Sequence, residues 1–67
     1  MANLMEGLIS EIRRVTEIRD IYISLGQPGT IGASLMKVDL DFAQSVMSTG
    51  DLVGMTAAYT KLKGWQE

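Results

Sequence analysis

Ile21-Tyr22-Ile23-Ser24-Leu25-Gly26-Gln27-Pro28-Gly29-Thr30-Ile31-Gly32 can be read in two ways, and the two lead to different folds. Ile21, Ile23 and Leu25 alternate with Tyr22 and Ser24, the period of a short strand entering a glycine loop. The same residues also make the broad apolar side of a helix end, where β-branched residues are tolerated. No second strand of comparable strength appears, and an unpaired strand would leave backbone donors and acceptors unsatisfied. The helix reading is therefore preferred, with Gly26 to Gly32 as a turn. Pro28 removes a donor and constrains Gln27, and the glycines raise the backbone entropy cost. Gly26 suits the left-handed position after a helix, and Pro28-Gly29 fits the centre of a type II turn.

Upstream, Leu4, Leu8, Val15, Ile18, Tyr22 and Leu25 recur at helical steps, with Met5 and Ile12 widening the stripe. Glu6, Ser10, Arg13, Glu17, Asp20 and Ser24 fall on the other side, Arg13 and Glu17 stand at i,i+4, and Asn3 is a reasonable N-cap. The expected first helix covers 3–25. Downstream, a second helix should begin near Ile31 or Ala33 and run over about 32–48. Its inner face carries Met36, Leu40, Ala43 and Met47, with Val38, Phe42 and Val46 beside them. Lys37, Asp41, Gln44 and Ser48 face water. Gly50 ends it, and Thr49 or Asp51 caps a third helix over 51–63 whose Leu52, Met55, Tyr59 and Leu62 repeat by three and four. Lys61 and Lys63 complement the dipole of its last turn, and Trp65 lies just beyond, placed to cover a neighbouring helix or protomer.

The expected fold is all-α: one domain over 1–67, a helical hairpin with a third short helix packed across it. At 67 residues such a core supplies only ~3 to 5 kcal/mol of net stability. With no Cys and no His, disulfides and Cys/His zinc sites are excluded, which leaves good packing and self-association. A homo-oligomer is expected, with Leu8, Met36, Met47, Met55, Tyr59 and Trp65 as its candidate interface, the methionines serving as core filler or adaptable surface.

Six Lys and Arg against eight Asp and Glu give a net charge of −2, too acidic a balance for general nucleic-acid binding. No apolar run approaches a membrane span, and Met1 to Ile12 carries Glu6 and Glu11 where a secretory signal would be basic and then apolar, so a cytoplasmic location is expected. Catalysis is not expected, because His and Cys are missing and Asp39 and Asp41, two apart on a helix, point about 200° from each other. No cofactor or metal is expected either.

One constellation could hold a ligand. Gly26, Gly29 and Gly32 recur every third residue before a helix whose first N–H groups favour phosphate or carboxylate. Thr30, Ser34 and Lys37 could join them, Pro28 would shape the turn, and Tyr22 could stack a base. The pattern lacks the Gly-Lys-Ser/Thr ending of a P-loop, and a plain helix–helix connection with no ligand is the preferred reading of it.

From Tyr22 to Lys63 the chain resembles small helical proteins encoded by phages and prophages. The likeness lies in Tyr22-x-x-Leu25-Gly26, the Pro28-to-Gly32 turn, Ser48-Thr49-Gly50-Asp51, and Met55-x-x-x-Tyr59-x-x-Leu62. Helix, Pro-Gly turn and helix are also similar to the phage anti-CBASS sponges, oligomers that sequester cyclic-nucleotide signals between protomers, although Thr30 stands where that pattern has an arginine. Residues 43–62 look like part of a tetratricopeptide unit, but one partial unit cannot stack. The resemblance implies a non-enzymatic accessory or counter-defence protein that inhibits or sequesters a host component in the host cytoplasm. Its partner would be a cyclic nucleotide at the glycine turn or, alternatively, a protein docked on a helical face.

Overall fold

The computed structural model describes residues 3–66, so Met1, Ala2 and Glu67 of the expected 1–67 domain lie outside the described residues. It is all-helical, with α1 over Leu4–Ser24, α2 over Gln27–Thr49 and α3 over Leu52–Lys63, and no strand among the described residues.

Each start and stop has a local cause. Asn3 Oδ1 accepts the Glu6 N–H at 2.8 Å, and Asp51 Oδ1 accepts the Gly54 N–H at 3.0 Å, so both side chains satisfy a helix donor that would otherwise be orphaned. Between the alternatives Thr49 and Asp51, Asp51 is the cap; the Thr49 hydroxyl donates back to the Ser45 and Val46 carbonyls. Gly50 closes α2 in the left-handed conformation, at φ 71 and ψ 22.

The second helix corrects the reading of the glycine stretch. The break is only Leu25 and Gly26, and α2 already runs from Gln27, so Pro28 through Gly32 are helical. Pro28 sits in the first turn, where its missing N–H would have had no partner anyway and its fixed φ suits the helix. The type II turn at Pro28-Gly29 does not form, since Gly29 lacks a positive φ. Gly26 is the breaking residue, but at φ 78 and ψ −144 it lies outside the left-handed helical region, in one that is essentially reserved for glycine.

Side-chain contacts fix the topology. Arg19 Nε donates to the Ala33 carbonyl and Gly32 lies against Tyr22, so α1 and α2 are antiparallel; Gly54 against Val46 and Trp65 bonded to Asp39 make α2 and α3 antiparallel as well. Gly7 beside Tyr59 and Arg14 bonded to Leu62 leave α1 and α3 parallel. The core between them contains Leu8, Val15, Ile18, Met36, Leu40, Ala43, Val46, Met55, Ala58 and Leu62.

Five apolar assignments shift. Val46, expected beside the inner face, is buried, whereas Met5, Leu25, Val38 and Leu52 are exposed. Arg13 and Glu17 do not pair; the ion pair on α1 is Glu11–Arg14 at 2.9 Å. The polar faces, including Glu6, Ser10, Arg13, Lys37, Asp41 and Gln44, are exposed as expected.

Helix lengths set the shape. At ~1.5 Å per residue the 23 residues of α2 account for ~35 Å, nearly all of the 36 Å long axis, whereas the 12 residues of α3 account for only ~18 Å. The molecule is three helices thick at one end and two at the other.

Candidate functional site

The residues singled out around the glycine stretch separate into two groups. Gly29 is buried, and a Cβ there would overlap the Tyr22 carbonyl oxygen. A Cβ on Gly32 would lie 2.6 Å from the Tyr22 ring, so the two glycines, three apart on one face of α2, form a notch that seats the end of α1. The half-buried Tyr22 ring fills that notch. The glycines recur because two backbones approach closely, a role that needs no ligand.

Thr30, Ser34 and Lys37 stand at four- and three-residue steps on a different, exposed face of α2. The Thr30 hydroxyl donates to the Gly26 carbonyl at 3.3 Å, and the Lys37 ammonium bonds Asp41 at 2.8 Å, so both polar groups have local partners. Gly26 and Pro28 are exposed between the two groups, and no pocket forms among the described residues. The eight residues do not converge on one point.

The candidate interface is also redistributed. Leu8, Met36 and Met55 are core residues of the protomer and cannot reach a partner while it is folded; they are buried because the stripes that carry them face the other two helices. Met47, Tyr59 and Trp65 are half-buried against that core. The exposed large apolar residues are others: Met5, Ile9, Ile21, Ile23 and Leu25 on α1, Ile31, Leu35 and Val38 on α2, and Leu52 and Val53 on α3, with Leu25 just past the end of its helix.

At the three-helix end, contacts that the sequence does not reveal close the bundle. The Arg14 guanidinium donates to the Leu62 carbonyl at 2.8 Å and the Trp65 carbonyl at 2.7 Å while holding Glu11, so a cation from α1 bonds carbonyls at and just past the end of α3. The Trp65 indole N–H donates to Asp39 Oδ2 at 2.8 Å, tying the same end to α2. Trp65 thus covers a helix of its own chain. Lys61 lies 4.9 Å over the Phe42 ring and Lys63 5.4 Å over the Tyr59 ring, shielding both aromatics. Arg14 could have been suspected from its register: it falls in the row with Ile18, Ile21 and Leu25, where a charge needs a partner.

Both members of the Asp39/Asp41 pair are engaged elsewhere, one by Trp65 and one by Lys37. Among the described residues no group of three or more acidic side chains could hold a metal ion, and no helix is long and apolar enough to cross a membrane. In comparison with known proteins, the chain matches no family model, no curated protein and no solved structure.

Proposed function

We propose that this chain is a non-enzymatic helical interaction protein, an accessory factor of the phage type that acts in the host cytoplasm by occupying the surface of another protein. The observation that carries the reading is the placement of apolar side chains. Ten large ones among the described residues are exposed, and five of them, Ile21, Leu25, Ile31, Leu35 and Val38, belong to the two-helix end, the grouped kind of apolar surface that supports association. Gly29 and Gly32, by contrast, are taken up by packing on Tyr22, and the Thr30 hydroxyl and Lys37 ammonium by local bonds. The resemblance over residues 22–63 supplies the phage-type setting, and the geometry favours its protein-docking version over nucleotide sequestration.

Thermal melting with a panel of cyclic nucleotides tests this. A ligand at 100 times its Kd stabilises the folded state by ~2.7 kcal/mol, which moves the melting temperature of a domain this small by several degrees. No shift is expected with any nucleotide; a reproducible shift would restore the glycine stretch as a ligand site and overturn the reading.

A further inference from the structure

The groove between α1 and α2 that receives α3 continues past the end of α3. On α1, Arg14, which bonds the last carbonyls of α3, begins a row at four-, three- and four-residue steps through Ile18, Ile21 and Leu25. On α2, Phe42, which carries Lys61 over its ring, begins a matching row back through Val38, Leu35 and Ile31, and Asp39, which holds Trp65, stands four residues from Leu35. Both rows start where α3 touches them and run beyond Trp65. Past that point Ile21, Leu25, Ile31, Leu35 and Val38 are 45–76% exposed. The half-empty slot is roughly 12 to 16 Å long, eight to eleven residues of helix.

Resting on the reading of the chain as an interaction protein, we infer that this slot is closed by the same slot of a second copy. The two-helix ends meet face to face across a two-fold axis as a four-helix layer. Three features favour a second copy. Steps of four, three and four along both rows are the spacing by which one helix seats another, and two hairpin faces presenting them are self-complementary. None of the five exposed side chains is charged, and Lys37 and Asp41 lie on a different face of α2, so the apolar patch itself brings no like charges together although each copy carries a net charge of −2.

Area is the third. The exposed fractions amount to about three whole aliphatic side chains, on the order of 300 Å² per protomer. With a polar rim of similar size the pair buries on the order of 1,000 Å² in all, the lower bound for a specific interface. The dimer is therefore weak and concentration-dependent.

Sedimentation equilibrium of the full chain from low micromolar to about millimolar concentration tests the inference, with I31K/L35K and I21K/L25K as slot variants and V53K, on exposed α3 surface, as control. Circular dichroism confirms that each variant is helical. The wild type and V53K are expected to dimerise alike, and each slot pair to weaken association by about a hundredfold or more, since two charges from each copy must be buried unpaired. A wild type that stays monomeric throughout, or slot variants that dimerise as well as V53K, overturns the inference. Neither result affects the interaction reading, which fails only on a nucleotide-induced shift in melting.

Discussion

The two ends of this molecule are built from the same two helices and differ in what lies across them. At the three-helix end, α3 covers the hairpin, Arg14 and Trp65 fasten its terminus to α1 and α2, and Lys61 and Lys63 shield the aromatic rings. At the two-helix end, the hairpin is held by Gly29 and Gly32 closing on Tyr22 and by the Arg19 bond to the Ala33 carbonyl. There, Ile21, Leu25, Ile31, Leu35 and Val38 remain in solvent. One end covers the apolar rows that face α3 and leaves Met5, Ile9, Leu52 and Val53 on its outer surface. The other satisfies its backbone contacts but leaves its apolar rows open to solvent.

Substitutions should separate the ends by size of effect. The largest belongs to the closed end: Leu62→Ala, at a residue with no exposed surface, leaves a cavity beneath α3 and should cost about 2 to 5 kcal/mol, enough to unfold much of so small a domain. Urea denaturation measures it, and a loss under about 1 kcal/mol would mean that α3 is dispensable to the core. Next comes the hairpin notch. Gly29→Ala puts a methyl against the Tyr22 carbonyl, which as backbone cannot swing aside, and should cost about 1 to 3 kcal/mol even though alanine is the better helix former. A stabilised variant would show that the two helices do not approach this closely. The smallest effect is expected on the open rows: Ile31→Ser, at a side chain 76% exposed, should change the stability of the dilute protomer by no more than about 0.5 kcal/mol.

The sequence revealed the helices more readily than their contacts. Periodicity, Asn3, Gly50 and Asp51 were sufficient to place three helices, because capping and amphipathic stripes are local properties. The start of α2 was misjudged because Pro28 and three glycines carry the composition of a turn, whereas Pro28 is harmless in a first helical turn and two of the glycines exist for a close approach to Tyr22. That approach joins residues seven and ten positions apart across a chain reversal, which no spacing rule reveals. The same limit applied to the surface. α2 carries two apolar stripes, one through Met36 and Leu40 that is buried in the core and one through Ile31, Leu35 and Val38 that stays exposed, and periodicity alone does not tell them apart. Arg14 reaches carbonyls 48 and 51 residues away and left no local trace beyond a charge in an apolar row.

The difference between the two ends is tested most directly by amide chemical shifts followed on dilution of the labelled chain. The signals of Ile21, Leu25, Ile31, Leu35 and Val38 should move together as concentration rises, with those of Leu52 and Val53 unchanged. Shifts that stay fixed everywhere, or that move on α3 and not along the two open rows, would contradict the assignment of the two-helix end as the docking surface.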